Sequence, residues 1–400
     1  MPAASISDRP VIERIRVHVI GFGSDRYSWS ALMPAMVNTD TIVRITLSDG
    51  SEGVGAVCSC VEHGVDRAVA EGIRPLIPGL IGRELADLGP ADLGPSDLDK
   101  TDPNLAEIDR IWDWMSWRRP YVGNPSIAAI DIALWDLAAK RANRPLWAHL
   151  GGSRNTMPAY ASIPVLEDHD ANIALIEGLT ADGFGLFKFH YKCVAEADIG
   201  LIEAIDAAFG DSGLTFMFDA ECAYDLEAAK RVAAAAEAAG FLWLEAPMPD
   251  RNLADYAALK AATSLPILPA GITIADEQDI VNALAHNGWS AVRCDTASSG
   301  GLTPMRRIAD LAAAHEMNFE LQSWGSSLST AANFHLSLAT PHSRYFEVPV
   351  PRQDFDLPGV SPIAVNASGT ATAAEAPGLG LEIDWTELEA ASEMVLDVRG

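Results

Sequence analysis

Eight short β-rich runs recur between residues 157 and 350 at nearly constant spacing, and this rhythm constrains the chain more than any other feature. The runs are MPAYASI from 157, GFGLFKFHY from 183, LTFMFDA from 214, FLWLEAP from 241, PILPAG from 266, AVRCDTA from 291, NFELQSW from 318 and YFEVPV from 345; successive starts lie 26, 31, 27, 25, 25, 27 and 27 residues apart. One strand, one helix and two short loops fill such an interval. Between the runs lie amphipathic or alanine-rich stretches such as LEAAKRVAAAAEAAG, whose last glycine suits a helix C-cap. Eight such units predict an α/β fold of the (β/α)8 barrel type, and near-continuous apolar strands fit a parallel sheet covered on both faces. A doubly wound open sheet is the alternative, but no GxGxxG follows the first strand to support it.

The flanks have other habits. Residues 11–60 read as strands joined by turns, with the SDG of TIVRITLSDGSEGVG as a hairpin turn. Residues 64–118 read as helical, interrupted by a tandem ADLGP at 86–95 whose two Gly-Pro steps predict an exposed loop insertion. NPSIAAIDIALWDLAAKRAN at 124–143 opens with an Asn N-cap and a Pro at the first helical position, and Ile127, Ile130, Leu134 and Leu137 make one buried face. The division expected is 1–124, then a barrel over 125–350, then a tail over 351–400 too short to fold alone.

Lysine and arginine number 28 against 55 aspartates and glutamates, a formal net charge of −27. Such a surface repels nucleic acid and anionic membrane, so neither is an expected partner. The amino terminus has no apolar signal-type core, and nowhere do 18 uncharged apolar residues run together. Cys58, Cys60, Cys193, Cys222 and Cys294 show no zinc-ligand spacing and read as buried small hydrophobes. The expectation is a protein of the reducing cytoplasm.

A barrel carries its active site at the carboxyl ends of its strands. Lys188 and His190 stand there after the second run, Asp219 and Glu221 after the third, and Glu245 after the fourth. Asp295 follows the sixth, Gln322 the seventh and Glu347 the eighth. Carboxylates from neighbouring strands are hard oxygen ligands suited to Mg²⁺.

The helix at 124, the FDA and LEAPMP strand ends, the D…SGGLT segment, YFEVP and APGLGLEID together resemble the enolase superfamily, in its mandelate racemase/muconate lactonizing branch. The resemblance covers nearly the whole chain. It implies an α+β cap built from both termini over the barrel, and a Mg²⁺ ion that stabilises the enediolate left when the proton α to a carboxylate is removed. That proton is weakly acidic, so the developing charge needs a cation and donors, and the base must sit close to it. By the same resemblance Asp219 and Glu245 are metal ligands. Lys188 and His190 stand where racemase-like members have a Lys-x-Lys pair, with His190 in place of the second lysine, the usual base. Glu347 is the strand-eight acid that hydrogen-bonds the substrate carboxylate. The loop 21–34 is the mobile lid, with Arg26, Tyr27 and Trp29 as expected substrate contacts, and His63, in the second cap loop at 58–64, is a further expected substrate contact.

Two positions depart from the family pattern. Ile272 stands where the third metal carboxylate belongs, and Gln322 where racemases have a histidine paired with the strand-six aspartate, here Asp295. Glutamine does not titrate, so two-base racemisation through this pair is not expected. Glu221 points the same way as Asp219, and Asp219, Glu221 and Glu245 could form a rearranged three-carboxylate Mg²⁺ site; a weakened or absent metal site is the alternative. The expected activity is a lyase acting on a small anionic hydroxy acid, an aldonate or aldarate dehydratase. A one-base epimerase or cycloisomerase and a catalytically silent ligand-binding relative are the alternatives. The resemblance also implies a homo-oligomer, a dimer or octamer.

Overall fold

The computed structural model of the chain describes residues 9–32, 35–59, 63–85 and 103–400, without the side chains of 22–27, 63, 64 and 103–106. The tandem ADLGP lies outside the described residues. Strands run in chain order as β1 (Ile12–Tyr27), β2 (Met36–Leu47), β3 (Glu52–Cys58), β4 (Thr156–Ile163), β5 (Leu186–Phe189), β6 (Thr215–Asp219), β7 (Leu244–Glu245), β8 (Ile267–Leu268), β9 (Ala291–Cys294), β10 (Asn318–Leu321), β11 (Phe346–Pro349), β12 (Ala364–Val365), β13 (Thr370–Thr372) and β14 (Glu393–Arg399).

β1, β2 and β3 form an antiparallel sheet, and β14 adds to its free edge against β1, from Arg14 opposite Arg399 to Val19 opposite Glu393. The β2–β3 hairpin turns where the SDG sequence predicts, with Gly50 at φ +84°. The helix Asn124–Arg141 crosses this sheet at backbone contact. A Cβ on Gly53 would stand 2.1 Å from the Ala133 carbonyl oxygen and one on Gly55 2.3 Å from that of Ala129, so only glycine fits at these two points of β3. The one buried face expected of this helix is an underestimate: every residue from Ser126 to Ala139 is buried. It lies between the cap sheet and the barrel, and its two buried acids are satisfied there. Asp131 accepts from Thr303 Oγ1 at 2.6 Å, and Asp136 accepts from the Val54 and Leu379 amides at 2.8 and 2.7 Å.

β4 to β11 are the eight barrel strands. Parallel pairing runs β11-β4-β5-β6-β7-β8, and β9 pairs in parallel with β10. The wall continues through the Ser290 amide on the Ile267 carbonyl at 2.8 Å and the Phe319 amide on the His342 carbonyl at 3.1 Å. Several of the helices that follow the strands start at side-chain caps: Asp168, Asp225, Asp276 and Ser326 each accept a backbone N–H of the first turn. The barrel interior is layered. Tyr160, Met217, Trp243, Leu268 and Ala291 pack into one buried apolar cluster, and one strand step further toward the carboxyl ends the inward residues become charged. No helix among the described residues is long and apolar enough to cross a membrane.

Candidate active site

Strand periodicity places Lys188 and His190 on the same inner face of the barrel at the end of β5. The Lys188 ammonium lies 2.8 Å from Glu245 Oε1 on β7 and 2.8 Å from Glu347 Oε1 on β11. Arg293, on the inner face of β9, lies with Nε 2.8 Å from the same Glu245 oxygen and Nη2 2.9 Å from Glu347 Oε2. Nε makes an ion-pair contact with Glu245, without hydrogen-bond alignment. The four side chains close a ring of alternating charge, Lys188–Glu245–Arg293–Glu347, in which none is more than 3% exposed. The ring is held from outside by the Trp243 indole on Glu245 Oε2 at 3.1 Å and the Ser323 amide on Glu347 Oε2 at 3.1 Å. Burial raises the Glu347 carboxyl, but Lys188 and Arg293 outweigh it and bring it down to about 2. Both Glu347 oxygens have partners in this structure, Oε1 with Lys188 and Oε2 with Arg293 and the Ser323 amide.

Asp219 stands beside the ring, its Oδ2 accepting from Lys188 at 3.2 Å. Burial acts to raise this carboxyl; Lys188 and His190 hold it well below the usual carboxylate range. His190 Nδ1 lies 2.7 Å from the Ile163 carbonyl oxygen. A carbonyl only accepts, so Nδ1 carries a hydrogen and the ring is oriented with Nε2 toward the barrel mouth. That Nε2 lies 3.2 Å from Asp219 Oδ2 and 3.6 Å from Glu221 Oε1. Glu221 reaches this position from a left-handed backbone at φ +51°, followed by Cys222 at φ +61°, a strained pair that turns the chain at the barrel mouth.

His190 Nε2 and one oxygen each of Asp219 and Glu221 lie within 4.8 Å of one another. Asp219 also meets Glu245 across the β6–β7 pair. When all four carboxyls are ionised (Asp219, Glu221, Glu245, Glu347), they face two fixed cations (Lys188, Arg293), an excess of two negative charges. Burial, with Asp219 adding its charge, pushes the Glu221 carboxyl up to about 8, and burial also pushes Glu245 to about 8 against the pull of Arg293 and Lys188. A donor set of hard oxygens with two unbalanced negative charges fits one divalent cation. Asp219 and Glu221 would hold it, and His190 Nε2 stands beside them without being counted among the ligands. Glu245 touches Asp219, but its Oε1 is shared between Lys188 and Arg293.

The other expected residues are spread around the mouth. Ile272 is 55% exposed at the end of the fifth strand, where Asp250 ties the chain down through the Ala270 and Gly271 amides at 2.8 and 3.2 Å. The Asp295 side chain accepts from the Ser298 amide at 2.7 Å as the N-cap of the turn Thr296–Ser299. No hydrogen bond joins it to Gln322, whose Oε1 is buried without a partner among the described residues. The strand-six/strand-seven pair named from the sequence is thus not assembled as a dyad. Trp29 packs edge-on to His190 with ring centroids 4.8 Å apart and against Trp324 at 3.5 Å, and Trp324 meets Phe355 at 5.1 Å. The Val165 amide donates to the Ser28 carbonyl at 2.9 Å, so the lid segment is pinned to the loop after β4. The side chains of Arg26, Tyr27 and His63 lie outside the described residues.

Sequence reasoning missed Arg293, although the signal was present. An arginine inside the apolar run AVRC can be buried only with its charge paired. Trp324 and Phe355 had no comparable signal, since aromatic residues near strand ends usually only pack.

Residues 173–387 match the family model for enolase C-terminal domain-like proteins, and residues 102–151 that for the mandelate racemase/muconate lactonizing enzyme N-terminal domain. Among characterised relatives, cis-3-hydroxy-L-proline dehydratase of Roseibium aggregatum is 28% identical over 89% of this chain and 91% of its own. 3,6-anhydro-alpha-L-galactonate cycloisomerase of Streptomyces coelicolor is 29% identical over 94% and 98%. L-talarate/galactarate dehydratase of Salmonella typhimurium is 29% identical over 76% and 72%. Among solved structures, a protein of Pseudovibrio sp. ascribed to the mandelate racemase/muconate lactonizing group is 32% identical, covers 98% and 99% of the two chains and superposes with a TM-score of 0.88. A racemase of Streptomyces coelicolor with bound magnesium is 25% identical, covers 96% and 100%, and gives 0.79. With these matches over a barrel whose strand ends carry Lys188, His190, Asp219 and Glu245 in order, the chain belongs to the enolase superfamily, in its mandelate racemase/muconate lactonizing enzyme branch.

Proposed function

We propose that the chain is an acid-sugar dehydratase that removes the proton α to the carboxylate of an aldonate or aldarate and expels the β-hydroxyl. The observation that carries this reading is the orientation of His190: the Ile163 carbonyl holds Nδ1–H, which turns Nε2 toward the barrel mouth beside Asp219 and Glu221. His190 in its neutral form takes the proton at Nε2, the Asp219 carboxylate 3.2 Å away balances the imidazolium that forms, and the imidazolium gives the proton to the departing β-hydroxyl, which leaves as water. Lys188 offers an ammonium from the floor of the site to the oxygens on which charge develops, its charge kept on by Glu245 and Glu347 although burial opposes it. Trp29 and Trp324 cover His190 and exclude water from it. Mg²⁺ held by Asp219 and Glu221, with Glu245 beside them, supplies when bound the positive charge that a carboxylate losing its α-proton requires.

Two of the three relatives are named as dehydratases and the third as a cycloisomerase, which supports lyase or isomerase chemistry. A cycloisomerase that uses the same abstraction is the second reading, supported by the 94% coverage of the chain by the anhydrogalactonate enzyme. Two-base racemisation through Asp295 and Gln322 has no support in the geometry. The family resemblance carries the further reading of a homo-oligomer of the cytoplasm.

The test is incubation of the Mg²⁺-loaded enzyme in deuterium oxide with a panel of aldonates and aldarates. A 2-keto-3-deoxy acid as product is the expected result, with His190→Asn inactive. A lactone or ring-opened isomer in its place selects the cycloisomerase. Neither product nor α-deuterium with any member of the panel overturns both.

A further inference from the structure

We propose that Arg293 is a positioning residue that sets the charge of the cation site, by acting as a permanent internal counter-ion to Glu245 and Glu347. This rests on the reading of Asp219 and Glu221 as cation ligands. A guanidinium does not lose its proton in a protein, so its charge is present at every working pH. Arg293 is 1% exposed, with Glu245 at 2.8 Å, Glu347 at 2.9 Å and the Tyr160 hydroxyl at 3.5 Å from its three nitrogens. With Lys188 on the same two carboxylates, the ring of four is neutral when Glu245 and Glu347 are both ionised. What remains for an incoming ion is the charge of Asp219 and Glu221, two units, which one dication cancels.

The same count explains how the site can do without a carboxylate at position 272. That position is held away from the ring by its own backbone. Asp250 anchors residues 270–273, and Gly271, at φ +76°, packs so closely on β9 that a Cβ there would stand 2.2 Å from the Arg293 carbonyl oxygen. A third acid added at 272 would overshoot a dication by one charge as long as Arg293 is present. Arg293 and an uncharged residue at 272 are therefore two parts of one charge balance. Holding Glu245 and Glu347 also keeps Lys188 in place, because each carboxylate bridges the two cations.

The experiment is calorimetric titration of Mg²⁺ into the EDTA-stripped full chain near neutral pH, with steady-state kinetics on the same preparations. Arg293→Met removes the charge at similar volume and leaves three negative units. Mg²⁺ should then bind at least about tenfold more tightly, while kcat falls at least about a hundredfold. Arg293→Lys keeps the charge but loses the fork that spans both carboxylates. Its Mg²⁺ affinity should stay within about threefold of wild type while kcat falls at least about tenfold. General damage to the fold would weaken metal binding in both variants, so tightening in one and constancy in the other is specific to the charge role. Unchanged or weaker binding by folded Arg293→Met overturns the proposal. So does a tenfold change of affinity in Arg293→Lys, which stands as the test if the methionine variant fails to fold. Absence of Mg²⁺ binding by the wild-type chain overturns the cation-site reading itself, a result distinct from wild-type binding that Arg293 does not influence.

Discussion

Lys188 and Arg293 bind the same two carboxylates: each lies within 2.9 Å of both Glu245 and Glu347. They come from β5 and β9, which do not pair with each other, so the ring is a cross-brace through the barrel as well as the floor of the site. Removing one member of a buried charged set leaves the others uncompensated, at a cost of about 3–5 kcal/mol. Lys188→Met should lose about that much stability in urea unfolding, and its turnover should fall by at least about a thousandfold. A loss of stability below about 1 kcal/mol would mean that the ring is not closed in solution.

His190→Asn keeps a side-chain donor toward the Ile163 carbonyl but has no group that accepts a proton near neutral pH. Solvent deuterium exchange at the α-carbon should fall by at least about a thousandfold while substrate still binds. Exchange at the wild-type rate would move the base to another residue, with Lys188 the next to be tested.

Glu221→Gln removes one of the two negative charges left over by the ring. Mg²⁺ affinity measured by calorimetry should drop at least about tenfold, with little effect on thermal unfolding of the metal-free chain because Glu221 stands at the rim. Equal affinity in the two proteins would exclude Glu221 from the cation site.

His335 gives a pH-dependent prediction away from the site. Its Nδ1 accepts from the Trp147 amide and its Nε2 donates to the Leu379 carbonyl, both at 3.0 Å, so the neutral ring joins its helix to the chain before β4 and to the tail. Burial lowers its folded pKa from 6.5 to about 4. The unfolded chain takes up a proton below about pH 6.5 that the folded chain refuses until about pH 4, so this contribution is complete above pH 6.5 and is lost as pH falls. Asp40 and Asp131, both raised to about 7 by burial, act in the opposite direction, and a comparison with a variant removes their effect. The stability advantage of wild type over His335→Asn should shrink by about 3 kcal/mol between pH 7.5 and pH 4. A difference independent of pH would show that the histidine is not buried as a neutral ring.

The barrel was legible in the sequence because a strand–loop–helix–loop unit has a nearly fixed length, and a repeat of 25 to 31 residues records it directly. The candidate positions Lys188, His190, Asp219, Glu221, Glu245 and Glu347 could be named for a related reason: strand ends fix which residues reach the mouth, whatever the details of packing. The burial of the helix Asn124–Arg141 on every side was not legible, since its period shows only the strongest face and the barrel's contact with its other side is tertiary.

Partnership lay beyond the sequence for the same reason. The ring residues on β5, β7, β9 and β11 stand from 48 (Glu245 to Arg293) to 159 (Lys188 to Glu347) positions apart, and no local pattern says which oxygen meets which nitrogen. Asp295 and Gln322 looked like a weakened dyad, yet Asp295 caps the turn after its own strand, a local hydrogen bond that sequence spacing from Gln322 does not reveal. Strand order and residue type thus determined the fold and the inventory of the site. Only the closed barrel decided that Glu245 and Glu347 are held between Lys188 and Arg293, because Coulombic pairing in a buried interior depends on distances of a few ångströms that only the tertiary structure sets.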